Sequence, residues 1–233
     1  MAMAEMAVAD GIHTIVATPH SHNGIYIYSR LQVLHRVMKL QAVFERSGIS
    51  LALCAGADVQ LHAGLADRLF TDEVMTLNNG KKYLLVEFPH QRLTEEFHNE
   101  LFRIIVKGVV PVITHPERHA ALQERPEVLA RLVQMGCLVQ VTAMSITGDF
   151  GQQAMECAHG LLKRRLVHVI ATDAHSAESR PPVLSEAVEV AARILEDDNE
   201  AWDMVAQRPK KILKGEPVSI PEPRKPKKRW FYW

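Results

Sequence analysis

Six side chains in this sequence share an unusual placement. His20, Asp58, Glu87, His115, Asp173 and His175 each fall at or just past the end of an apolar run. The run before His20 ends in ATPH, the one before Asp58 in AGAD, and VEFP carries Glu87. THPER then carries His115 with Arg118, and TDAHS carries Asp173 with His175. Three imidazoles and three carboxylates, with no thiolate, form a donor set suited to Mn²⁺, Zn²⁺ or Fe²⁺. Carboxylates shared between ions would build a di- or trinuclear cluster. Taken singly, a strand-end histidine is more often a hydrogen-bonded structural residue, and Asp58 or Glu87 could simply cap the next helix. Their recurrence at the ends of successive runs points instead to a metal or catalytic site.

Two arginines accompany them. Arg118 follows His115 by three residues and Arg180 follows His175 by five. A guanidinium is always charged and grips phosphate oxygens in pairs, so a metal cluster beside two arginines suits a phosphoryl group. The competing reading pairs each arginine with a neighbouring acid, Glu117 or Glu178. A cysteine-based phosphatase would need an arginine six residues after its cysteine. Those positions hold Gln60, Ala143 and Lys163 after Cys54, Cys137 and Cys157. A GxxxxGK[ST] phosphate loop is absent as well. Water activated by metal is the nucleophile that remains. His119 and His22 are further candidates for proton transfer.

Placing these residues on one rim requires a particular set of elements. Residues 12–17, 49–56, 82–88, 109–114, 137–143 and 167–172 read as six strands, almost continuously apolar. Strands of that kind are buried on both faces. Between them the spacing predicts helices over 29–48, 94–107, 126–136, 151–165 and 184–195, with a short one near 199–206. Ser29 stands as N-cap, and Gly48, Gly108 and Gly136 as stops. A further turn or two of helix covers residues 2–10. Strictly alternating strands and helices imply a parallel sheet. A barrel accounts best for the pattern, because the C-terminal strand ends of such barrels form the active face.

The segments VATPHSHNG, LLVEFP, VITHPERH, IATDAHS and SRPP, in that order, resemble the bacterial metal-dependent tyrosine phosphatases of the polymerase-and-histidinol-phosphatase (PHP) superfamily, in its capsule and exopolysaccharide biosynthesis branch. The resemblance implies an α/β fold, a distorted (β/α)7 barrel, and up to three ions, usually manganese. It implies His20, Asp58, Glu87, His115, Asp173 and His175 as metal ligands, and Arg118 and Arg180 as the groups that hold phosphate. The implied substrate is the phosphotyrosine tail of a bacterial tyrosine autokinase that controls polysaccharide export. Two departures stand out. The family places Glu where this chain has Asp58. It also opens with a strand ending in a His-x-His pair, and this chain begins past that point, so a barrel lacking its first strand and two of its ligands is expected. The two strand edges so exposed would invite pairing with a second copy. A different phosphoesterase acting on a small phosphomonoester, or a phosphate-binding remnant without catalysis, would carry the same residues.

Composition bounds the rest. The chain has 233 residues, 47% of them hydrophobic and 23% charged, with zero formal net charge. That balance suits one large folded domain. From Gln207 onward nine Lys or Arg face two Asp or Glu, leaving the tail at +7 and the preceding 206 residues at −7. The division expected is a phosphatase body over 1–206 and a basic, Pro-rich, aromatic tail over 207–233. Such a tail suits an acidic kinase segment or peripheral contact with an anionic membrane surface. An acidic body argues against nucleic acid as a partner. Three cysteines with no paired framework, no apolar run near bilayer length and no signal-like start make the cytoplasm the expected compartment.

Overall fold

Parallel β-pairing between segments adjacent in the chain organises the computed structural model, which describes residues 1–26, 28–89 and 94–224. The order is α1 (Ala2–Ala9), β1 (Thr14–Ala17), β2 (His20–Ser21), α2 (Arg30–Arg46), β3 (Ala52–Ala55), β4 (Asp58–Gln60), α3 (Leu65–Arg68), β5 (Tyr83–Glu87) and α4 (Glu95–Val106). There follow β6 (Val110–Thr114), α5 (Ala120–Glu124), α6 (Pro126–Met135), β7 (Leu138–Thr142), α7 (Ala143–Thr147), α8 (Gln152–Lys163), β8 (Val169–Ala171), α9 (Ser185–Leu195), α10 (Asp198–Asp203) and α11 (Gln207–Lys214). β1 pairs with β3, and the sheet order of the remainder is β2-β4-β5-β6-β7-β8, parallel throughout.

The six expected strands are present as six lines of backbone, but the first two are each broken. β1 resumes as β2 after Thr18-Pro19, and β3 resumes as β4 after Gly56-Ala57. Proline has no N–H for a ladder. At Gly56 the chain passes so close to its neighbours that an added Cβ would meet Leu77 Cδ2 at 3.0 Å and Val16 Cγ1 at 3.1 Å. His20 and Asp58 therefore lie not at the frayed ends of long strands but as a registered pair on the second segments.

Register decides which residues face inward. Asp58 stands beside Leu85, Leu85 beside Val112, and Val112 beside Leu138. Tyr83, Leu85, Val112, Leu138 and Val169 form an inner cluster closed from below by Ile212 of α11. The alternate residues Leu84, Val86, Ile113, Val139 and Ile170 face outward. There they pack with Leu101, Ile104, Leu129, Leu132 and Leu161 of the surrounding helices. Each such buried side chain contributes roughly 1.5–3 kcal/mol. The helices follow the apolar spacing closely. α2 begins at Ser29, whose side chain and that of Gln32 form a reciprocal capping box, and α6 ends at Gly136 in the left-handed conformation.

One feature differs from expectation. Residues 207–214, grouped with the tail on charge, form α11, with Arg208 and Ile212 buried. Arg208 pairs with Glu200 at 2.6 Å, so one of the tail's positive charges belongs to the folded body. The remaining aromatic-basic segment, 225–233, lies outside the described residues. In line with the incomplete barrel expected, the β1–β2 line and β8 are not hydrogen-bonded to each other among the described residues. A cleft of about 640 Å³ lies between them, lined by Val16, Leu85, Val112, Val169 and Ile212 among others.

Candidate metal centre and active site

All six predicted donors collect at the C-terminal rim of the sheet. Alternation along β5 puts Glu87 two residues beyond Leu85, on the inner face. The same alternation on β6 puts Thr114 two residues beyond Val112. His115, next in sequence, would point outward if β6 continued. Instead it takes a left-handed backbone (φ 34°, ψ 46°), which ends the strand. Asp173 has φ 48°. Non-glycine residues in this region carry strain, which clusters at functional sites.

Four of the donors form a tight group. Ligand atoms of His20, Asp58 and Glu87 all lie within 4.8 Å of one another. His20 Nδ1 stands 3.3 Å from Glu87 Oε2 and 3.7 Å from Asp58 Oδ2. His115 Nε2 stands 3.3 Å from Asp58 Oδ2 and 3.6 Å from Glu87 Oε1. Asp58 is buried, and its other oxygen accepts a hydrogen bond from Thr114 Oγ1 at 3.0 Å. The group is strongly anionic. Hydrogen bonding to Glu87, with the charges of Glu87, Asp58 and Asp173, raises the His20 pKa against the opposing effect of burial. Burial works hardest against a charge on His115, yet Asp58 more than offsets it and the pKa is raised.

These donors fit divalent cations. His20 Nδ1 is buried and faces two carboxylates inside 4 Å. That arrangement suits a cation shared between them better than a proton. The donors are imidazole nitrogen and carboxylate oxygen, the set that binds manganese, zinc or iron.

Asp173 and His175 sit on the far side of His20, whose ring centroid is 6.2 Å from that of His175. Asp173 is in the grip of both arginines. Arg118 Nη1 donates to its Oδ2 at 2.6 Å, Arg180 Nη2 donates to the same oxygen, and Arg180 Nη2 also donates to the Asp173 carbonyl at 2.9 Å. The alternative partners did not materialise for Arg118. Glu117 is fully buried and accepts from Thr142 N at 3.0 Å and Ser145 Oγ at 2.7 Å, which pins the turn carrying Arg118 to the end of β7. Burial pushes the Glu117 carboxyl above the usual carboxylate range.

An open cavity of about 230 Å³ is lined by His20, Glu87, His115, Asp173, Arg118 and Arg180, with Thr114, Phe88 and His119 in its wall. His119 Nε2 lies 3.0 Å from the Pro89 carbonyl. His22 is committed elsewhere: it stacks on His62 at 5.3 Å and its Nε2 meets the Glu73 carbonyl at 2.8 Å. Thr114 and Glu117 escaped the sequence reading as supporting groups. Strand alternation from Val112 could have found Thr114, whereas nothing local shows what Glu117 holds.

The arrangement can bind cations, hold an anion beside them and exclude little water, which is the equipment of a hydrolase. Comparison with known proteins agrees. The family profile for capsular polysaccharide synthesis, CpsB/CapC, matches residues 1–214. Tyrosine-protein phosphatase YwqE of Bacillus subtilis is 30% identical over 230 residues, covering 99% of this chain and 89% of YwqE. Tyrosine-protein phosphatase CpsB of Streptococcus pneumoniae is 28% identical, covering 87% of this chain and 85% of its own length. A crystal structure from the pair YwqE of B. subtilis and CpsB of S. pneumoniae, described as unique metal-dependent tyrosine phosphatases, superposes with a TM-score of 0.90. It shares 29% identity and covers 97% of this chain and 90% of its own. The chain therefore belongs to the CpsB/CapC family of capsular polysaccharide synthesis proteins.

Proposed function

We propose that this protein hydrolyses phosphotyrosine, with the phosphate held by Arg118 and Arg180 beside a metal cluster on His20, Asp58, Glu87, His115, Asp173 and His175. The observation that carries this reading is the convergence of both guanidiniums on one carboxylate oxygen at the edge of the imidazole–carboxylate group. An oxygen that two arginines already share marks where an anion is favoured. Arg118 and Arg180 orient the phosphate by paired donors and neutralise its charge. Asp58 and Glu87 keep the other wall anionic. Divalent cations held there supply Lewis-acid charge and an acidified water. Phenolate leaves readily, since its conjugate acid has a pKa of about 10.

The ion is manganese and the substrate is the phosphotyrosine tail of a bacterial tyrosine autokinase. Oxygen and imidazole donors support the first, and the names of the relatives support the second. The basic residues beyond α11 suit an acidic phosphorylated segment or an anionic membrane surface. Three free cysteines fit a reducing cytoplasm, and no helix among the described residues is long and apolar enough to cross a membrane.

The test is Arg118→Ala in manganese-loaded protein. Turnover of a phosphotyrosine peptide should fall at least 100-fold, on the scale of losing one preorganised charge-stabilising donor, with manganese content unchanged by plasma mass spectrometry. Unchanged turnover would remove Arg118 from the phosphate site. A panel including histidinol phosphate separates phosphotyrosine from small phosphomonoesters.

A further inference from the structure

β7 carries no donor along its length or at its end. It closes on Thr142, buried beneath Glu117. Yet β7 lies between β6, whose following turn bears Arg118, and β8, whose following loop bears Arg180. The segment after β7 runs through α7 into a tight turn, and that turn delivers Phe150 beside both arginines. The Arg118 guanidinium lies 4.6 Å from the centroid of the Phe150 ring, and that of Arg180 lies 5.4 Å from it.

The turn is built to hold that ring still. Gly148 and Gly151 flank it at φ 102° and 89°, conformations that disfavour any side chain. Gly151 N donates to the Gly148 carbonyl at 2.8 Å, and Phe150 N donates to the Met144 carbonyl at 3.2 Å. Two guanidiniums gathered on one carboxylate oxygen repel each other. An aromatic ring offers both a second common partner besides Asp173 and attracts each through the ring quadrupole. It also shields one side of each from water.

We propose that Phe150 is a positioning residue for the phosphate clamp, its ring holding Arg118 and Arg180 side by side so that both meet the same phosphate. This deepens the phosphatase reading and rests on it for the identity of the anion. The ring touches the arginines and acts on substrate only through them.

The test uses the full chain loaded with manganese, with inorganic phosphate as the probe and phosphotyrosine turnover as a separate readout. Phe150→Leu keeps an apolar side chain and removes the quadrupole. It should weaken phosphate binding about tenfold, equivalent to about 1.4 kcal/mol, and lower kcat/KM for phosphotyrosine to a similar degree. Manganese content and melting temperature should stay at wild-type values. Phe150→Tyr and Phe150→Trp should restore both binding and kcat/KM to within about twofold. If the leucine variant does not fold, pentafluorophenylalanine at position 150 keeps the shape while reversing the quadrupole, and should weaken phosphate binding in the same way. The proposal is overturned if the leucine or fluorinated protein binds phosphate as tightly as wild type, or if tyrosine and tryptophan fail to rescue. It is also overturned if only phosphotyrosine binding suffers, because the ring would then contact the substrate directly. Wild-type protein that binds phosphate but leaves phosphotyrosine intact would remove the phosphatase reading while leaving the clamp to be judged by the same variants.

Discussion

Asp58 concentrates the chemistry of the rim in a single side chain. One of its oxygens accepts from Thr114 and the other faces His115 and His20. The hydroxyl fixes the carboxylate so that its second oxygen points into the cluster. Outer hydrogen bonds of this kind tune cation affinity. Thr114→Val keeps the volume and deletes that bond. Manganese affinity, titrated by calorimetry, should weaken roughly 10–100-fold, and equal affinity in the variant would show that Thr114 only fills space. Asp58 itself was legible from the sequence, as the lone acid closing an apolar run. Thr114 was not, because a threonine at a strand end is too common to signal anything until its partner across the sheet is known.

At the scale of elements, helices and strands announced themselves through apolar spacing, and the breaks within strands did not. Thr18-Pro19 and Gly56-Ala57 looked like ordinary endings, yet each is a two-residue break in a strand that then resumes. The resumption depends on pairing between β2 and β4, which only the folded chain supplies. The entry into β8 carries a similar hidden constraint. His168 is fully buried, and Val139 N donates to its Nδ1 at 2.9 Å, so the ring must stay neutral to accept. Burial, aided by the nearby Arg208, holds its pKa down at about 4. In the unfolded chain the same ring takes a proton near pH 6.5. The stability gained by keeping it neutral is therefore full above pH 6.5 and is lost as pH falls toward 4, up to about 3 kcal/mol. Glutamine can accept from Val139 without titrating. Melting temperature should fall less steeply from pH 6.5 to 4 in His168→Gln than in wild type, and parallel slopes would contradict the assignment.

For the molecule as a whole, the donors come from five separate sheet lines, and the cluster assembles only when those lines align. Cation binding is thus also folding free energy. Manganese at one hundred times its dissociation constant should add about 2.7 kcal/mol. For a chain of this size that corresponds to roughly 5–10 °C in melting temperature. The gap should depend on pH. His20 and His115 have raised pKa values in the metal-free protein. Their protonation stabilises that form below the ordinary imidazole value, and the contribution is lost as pH rises through the raised values. Cations must displace those protons, so the difference between loaded and chelated protein should widen with pH over that interval. Thermal melts with and without chelator would show it, and a gap independent of pH would mean the imidazoles are not ligands.

The sequence alone determined which side chains are the candidate donors, their place at the ends of successive apolar runs, and the parallel α/β class. Those follow from local rules of spacing and side-chain chemistry that operate within a dozen residues. Tertiary structure decided that both arginines meet at Asp173, that Glu117 turns inward to anchor β7, and that Phe150 lies against both guanidiniums. It also decided that Ile212 of α11 packs against the inner cluster of the sheet. Each of these joins segments dozens of residues apart, and such distances are closed by the packing of the whole chain, which no short stretch encodes.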